Sequence, residues 1–155
     1  MSDYRKGCLT DRVIAELIAA AKQQSIPIFV DPKREDFSAY RGATYITPNR
    51  AELKAATGIT CSDNATCRLA AAQVMEQCDA KILLTLSEHG MALFQGEGEE
   101  EWLPTDAKEV FDVSGAGDSV IAAFAYACVS GMPISRALRV ANTTAGVVIA
   151  KAGTA

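Results

Sequence analysis

The chain has 155 residues, 49% of them hydrophobic and 22% charged, which suffices for one globular domain with its own core and excludes a disordered polypeptide. Its longest nearly unbroken apolar run, residues 120–129, falls well short of the ~20 residues a membrane-spanning helix needs, and the opening MSDYRKG lacks the features of a secretory signal, so no membrane partner and a cytoplasmic location are expected. A formal charge of −4 with scattered lysines and arginines leaves no basic stripe, which excludes nucleic acid as a partner.

Residues 10–24, TDRVIAELIAAAKQQ, open on a capping threonine and repeat Val13, Leu17, Ala20 and Ala21 at helical spacing, which predicts a helix. IPIFVDP (26–32) and ATYITPN (43–49) each read as a short buried strand whose carboxyl end runs into a loop. Helices are predicted over 50–57 and 62–78, followed by a third buried strand in KILLTL, residues 81–86. GMALFQ and EEWLP read as a hairpin or edge strands around the acidic turn GEGEEE, and two further helices, over 116–130 and 134–151, flank Gly131 and Pro133. Helices alternating with strands imply parallel pairing with helices on the sheet faces. The fold class is therefore α/β, and the loops after Val30, Thr47 and Leu86 line one ligand-binding rim. The five cysteines, Cys8, Cys61, Cys67, Cys78 and Cys128, contain no CxxC pair and read as buried, reduced thiols rather than disulfides or zinc ligands.

The most informative stretch is DVSGAGDSVIAAFAYACVSG, residues 112–131. Gly115, Ala116 and Gly117 let the backbone turn sharply and gather unpaired amides at a helix start, where an anion is favoured. It is neither a Walker loop nor a dinucleotide fingerprint: no GxxxxGK[ST] occurs, and Val120 stands at the third glycine position. A carboxylate at such a point, here Asp118, repels phosphate unless it takes a proton from a hydroxyl that attacks the phosphoryl group. Taken alone, it can equally be a helix cap. His89 is the sole histidine and reads as a loop residue, so a histidine metal cluster and a serine triad lack parts.

With its flanks, this stretch resembles the second signature of the PfkB carbohydrate kinases, the ribokinase-like family. The resemblance implies a ribokinase-like three-layer sandwich with a mainly parallel central sheet, Asp118 as catalytic base, and the amides of Gly115, Ala116 and Gly117 as an anion hole. TPNRAEL (47–53) resembles the family's NxxE motif beside Mg-ATP. That match implies nucleotide contacts from Asn49, Arg50, Ala51 and Glu52, and a water-mediated hold on Mg2+ by Asn49 and Glu52. Alone, the same spacing marks only a helix cap. By resemblance, TLSEHG brings Thr85, Ser87, Glu88 and Gly90 to ribose and phosphate, and RVANTTAGVVIAKAGT brings Asn142 to adenine. Asp112 matches the position that helps hold a monovalent cation, K+, in some members. The implied cofactors are ATP and Mg2+.

More narrowly, SDYRKG, VDPKREDFSAYRGATYITPN and GVVIAKAGT resemble the kinases of this family that phosphorylate D-glycero-β-D-manno-heptose 7-phosphate at its anomeric hydroxyl, toward ADP-heptose and the lipopolysaccharide core. Lys33 and Lys6 could then contact phosphate, although loop lysines are more often solvated. The resemblance covers the carboxyl-terminal, nucleotide-binding part of the domain; the family's glycine-rich sugar segment and β-strand lid are not matched. Expected partners are ATP and a small sugar phosphate, with a homo-oligomer covering the incomplete sheet edge. Two other readings stay open: a PfkB kinase of ribokinase or fructokinase type, and a non-catalytic nucleotide-binding remnant.

Overall fold

The computed structural model describes residues 1–105 and 115–150. Local rules account for most helix starts. Thr10 Oγ1 accepts the Val13 amide at 3.3 Å and opens α1 (Asp11–Gln23). Asn49 and Asp63 each close a capping box, at the heads of α2 (Arg50–Thr57) and α3 (Asn64–Cys78). The start of α4 (Ala116–Val129) is different: Gly115 sits in the left-handed region at φ 75°, and no side chain caps the turn. Pro133 precedes α5 (Ile134–Ile149). The third predicted helix start shifts from 62 to Asn64 because Asp63 is spent as the cap, and Lys151, the predicted end of α5, lies outside the described residues.

Five strands, β1 (Phe29–Val30), β2 (Tyr45–Ile46), β3 (Lys81–Thr85), β4 (Met91–Gly96) and β5 (Glu99–Leu103), lie side by side in chain order. The first three are parallel, and β4 and β5 continue as the antiparallel hairpin that the sequence predicts. Both β1 and β2 are shorter than their apolar runs. Pro32 and Pro48 follow within two residues of them and lack the N–H a ladder needs, so regular pairing stops there.

Consecutive strand residues point to opposite faces, and both faces are covered. Val30, Ile46, Ile82 and Leu84 enter one core, against Ile14 of α1, Leu53 of α2, Val74 of α3 and a short 3-10 turn, Phe37–Tyr40. Phe29, Tyr45 and Leu83 enter the other, against Val120 and Phe124 of α4 and Leu138 of α5. The outcome is a three-layer α/β sandwich. Phe124, fully buried, meets the rings of Phe29 and Tyr45 edge-on with centroids 5.9 and 5.0 Å apart. Among the described residues no helix is long and apolar enough to cross a membrane. All five cysteines are free; Cys61, Cys67 and Cys78 are buried, but Cys8 is exposed in the loop before α1 and Cys128 is half-buried, which corrects the expectation of five buried thiols.

Residues 1–3 run beside β1. Ser2 bridges Asp31 in parallel, with the Asp3 amide on Asp31 O at 3.0 Å and the Asp31 amide on Met1 O at 2.9 Å. The buried carboxylate of Asp3 fixes this segment by accepting Arg34 Nε at 2.6 Å and Tyr40 Oη at 2.9 Å. Burial pushes this carboxyl up, but the hydrogen bonds from Arg34, the Arg5 amide and Tyr40 outweigh it and hold it below its ordinary value.

Two outcomes follow. Phe124→Ala should destabilise the fold by about 3–5 kcal/mol in urea unfolding, since it empties the centre of one core. A carboxyl whose folded pKa is depressed contributes stability above its ordinary pKa of 3.8 and loses it as the pH falls through the folded value. Asp3→Asn should therefore be less stable than the parent near neutrality and show a shallower loss of the urea midpoint on acidification.

Candidate active site

The carboxyl ends of β1, β2 and β3 open onto one rim, as a parallel α/β sheet requires of a ligand site. Asp31 and Lys33 follow β1, Asn49 and Glu52 follow β2, and the 86–90 loop, with its 3-10 turn Ser87–His89, follows β3. The Thr85 amide donates to Pro48 O at 2.9 Å and stitches the second and third of these together. Between this rim and the first turn of α4 lies a cleft of about 320 Å³, at the lower end of the range for small-molecule sites. Asn49, Thr85, Ser87, Glu88, Gly90, Ala116, Gly117 and Asn142 all line it, together with Lys33.

The other predicted residues fall elsewhere. Glu52 does not line the cleft but is tied to it through Lys33 and Asn49. Ala51 and Gly115 are exposed, and Arg50 turns its side chain into a neighbouring cleft. Asp112 lies outside the described residues.

The NxxE pair is a capping box and something more. Asn49 Oδ1 accepts the Glu52 amide at 2.9 Å, and Glu52 Oε2 accepts the Asn49 amide at 2.8 Å. The remaining carboxylate oxygen, Oε1, accepts Lys33 Nζ at 2.7 Å, and the same ammonium reaches Asp31 Oδ1 at 3.0 Å. Burial pushes the Asp31 carboxyl up; Lys33 draws it down, the charges of Glu52 and Asp118 push it up again, and it stays above its ordinary value. For Lys33 burial lowers the pKa, but Glu52 and Asp31 more than compensate and hold it charged. An ammonium seated between two carboxylates stands in for a cation, so this hard-oxygen donor set fits magnesium. Among the described residues no group of three or more His, Cys, Asp or Glu is placed to hold a metal ion by itself.

Asp118 occupies the third position of α4 on its exposed side. Tyr4 Oη donates to its Oδ2 at 2.9 Å, and Ser2 Oγ lies 3.4 Å from its Oδ1. The hydrogen bond to Asp118, followed by that residue's charge, raises the Tyr4 phenol above its ordinary value. Helix-start amides with no side-chain cap run just ahead of this carboxylate. Gly90, at φ 92°, admits no other residue: a Cβ there would stand 2.1 Å from Leu103 O and 2.6 Å from Pro104 C. Asn142 is buried and its Nδ2 donates to Pro104 O at 2.7 Å, so the same side chain that borders the cleft also anchors the end of β5.

Four residues at the site carry no local sequence signal. Asp31 and Lys33 follow a strand end as an ordinary Asp-Pro-Lys, and Ser2 and Tyr4 reach Asp118 across more than a hundred residues of chain. Lys33, read from the sequence as either a phosphate contact or a solvated loop lysine, is two-thirds covered and doubly ion-paired.

Residues 7–155 match the pfkB family of carbohydrate kinases. The chain belongs to that family. It is similar to the bifunctional protein HldE of Gluconacetobacter diazotrophicus, 53% identical over 156 residues that cover 100% of this chain and 32% of the relative. The bifunctional protein HldE of Trichlorobacter lovleyi is 47% identical over 155 residues, covering 99% of this chain and 32% of the relative. The chain thus spans about a third of the length of the curated relatives it matches. Among solved structures, Arabidopsis thaliana ribokinase complexed with ribose and ATP superposes with a TM-score of 0.85 at 26% identity, covering 94% of this chain and 48% of that one. Escherichia coli phosphofructokinase-2 in complex with potassium, at 21% identity and a TM-score of 0.81, over 94% of this chain and 48% of that one, shares the fold. Membership of a carbohydrate kinase family and a ribokinase-like fold are therefore both shown, and kinases of that family use ATP.

The Tyr4 contact can be checked without any substrate. In Asp118→Asn the phenol should ionise at lower pH than in the parent, read by ultraviolet difference titration against a Tyr4→Phe blank. An unchanged midpoint would show that the contact does not form in solution.

Proposed function

We propose that this chain is the nucleotide-binding part of a kinase domain that transfers a phosphoryl group from ATP to the anomeric hydroxyl of D-glycero-β-D-manno-heptose 7-phosphate, giving the 1,7-bisphosphate and ADP on the route to ADP-heptose and the lipopolysaccharide core. One observation carries the reaction class: the uncapped first turn of α4 and Lys33 border the same cleft, while Asp118, which does not line it, follows Gly117 on the exposed side of that turn. The choice of sugar follows the resemblance of SDYRKG and VDPKREDFSAYRGATYITPN to heptose 7-phosphate kinases, and the 53% identity with bifunctional protein HldE supports it.

In this reading Asp118 takes the proton of the acceptor hydroxyl, its carboxylate held in one orientation by Tyr4 and Ser2. The amides of Gly115, Ala116 and Gly117 meet the charge that develops on the transferred group, and Lys33 adds a cation on the opposite wall. Asn49 and Glu52 hold magnesium through water; when bound, the ion neutralises phosphate charge, which is most of what phosphoryl transfer asks of a protein. Thr85, Ser87, Glu88 and Gly90 border ribose and phosphate, and Asn142 borders adenine. Potassium beside Asp112, a cytoplasmic location and self-association that covers the incomplete sheet edge belong to the same reading.

The test is ADP release from Mg-ATP with heptose 7-phosphate, ribose, fructose and fructose 6-phosphate. Heptose-dependent turnover is expected, with a loss of roughly a hundredfold or more in Asp118→Asn. Turnover with ribose or fructose alone would move the assignment to another PfkB sugar kinase. Absence of turnover with every sugar would favour the second reading, a non-catalytic nucleotide-binding part.

A further inference from the structure

Arg50, the first residue of α2, opens onto a second cleft of about 440 Å³. It lies across the 86–90 loop from the first: Leu86 and His89 line this cleft, whereas Ser87, Glu88 and Gly90 line the other. Trp102 and Pro104 form its apolar wall. The Arg50 Nε atom is buried with no hydrogen-bond partner, and the guanidinium makes no ion pair among the described residues. Arg34, by contrast, is paired with both Asp3 and Asp11. A guanidinium is always charged, and a buried N–H without an acceptor is rare in folded proteins because it forfeits its hydration for nothing.

Nε itself is sealed from solvent, so a ligand in the cleft meets the outer nitrogens of this guanidinium, and the surroundings restrict what that ligand can be. Asp63 is the one acidic residue in the lining, and its carboxylate is turned toward its own helix, accepting the Thr66 amide at 2.8 Å and Thr66 Oγ1 at 3.0 Å. Its charge still disfavours a dianion such as a phosphate monoester. The planar guanidinium fork matches a carboxylate, and the walls of Leu86, Trp102 and Pro104 ask for an apolar body attached to it.

We propose that this cleft binds a small organic carboxylate, with its oxygens on Arg50 and its apolar or aromatic body against Trp102. Trp102 is the only tryptophan in the chain, so its fluorescence reports occupancy directly. The probe is benzoate, with benzyl alcohol and inorganic phosphate as controls. Benzoate should change the emission saturably, the two controls should not, and Asp118→Asn should leave the response unchanged. In Arg50→Met the benzoate Kd should rise roughly tenfold or more, the size of one charge-assisted pair, while the melting temperature stays at or above that of the parent because the orphaned donor is gone. Arg50→Lys, which keeps the charge but loses the fork, should weaken benzoate as well. No saturable response to benzoate, or an unchanged Kd in both Arg50 variants, would overturn the proposal.

Discussion

One ammonium, that of Lys33, holds the rim of the sheet together. Asp31 and Glu52 arrive from different strands, and with 3.0 and 2.7 Å to a shared cation they are close enough that they would repel without it. The dependence runs both ways: a half-buried lysine keeps its proton because the two carboxylates are there. With Glu88 and Asp118 also at the rim, the charge around the cleft is predominantly acidic. A bare polyphosphate would be unwelcome in such a place. Phosphate accompanied by a cation would not, and this is the electrostatic sense in which Asn49 and Glu52 suit a metal-bound nucleotide.

That rim exists because β1 and β2 stop early. Proline removes ladder donors just beyond each of them, so the chain leaves the sheet at Asp31 and Pro48 and its polar side chains are delivered to one end. Above and below, strict alternation of side chains feeds two separate cores, and Phe124 ties α4 to the rings of Phe29 and Tyr45. The turn at Gly115 is thereby fixed relative to the strand ends by aromatic packing behind it and needs no side-chain cap of its own.

Much of this was legible in the sequence. The helices over 50–57 and 116–130 match α2 and α4 to within a residue, and the strand in KILLTL and the hairpin beyond it are where the hydrophobic pattern puts them. The pattern overstated β1 and β2, because hydrophobicity marks what is buried while pairing also needs donors. It passed over the Phe37–Tyr40 turn, whose buried rings carry no helical or alternating period. At the site, eight of the residues expected from motifs converge on one cleft. Arg50 departs because it lines the neighbouring cleft while the cap before it, Asn49, lines the first, so a motif read as a block splits between two clefts. Tyr4 and Ser2 were invisible for a different reason: their meeting with Asp118 depends on the parallel bridge between Ser2 and Asp31, a tertiary fact with no local counterpart.

The glycine at position 90 has a consequence for motion. Its backbone packs so closely on Leu103 and Pro104 that the loop cannot press further onto the end of β5 without moving it, and Asn142 pins that same strand end to α5. The loop that separates the two clefts thus behaves as an extension of the hairpin, and its amides should exchange with solvent as part of one cooperative unit rather than as a freely breathing surface turn. Fluctuations large enough to alter one cleft would have to be felt in the other.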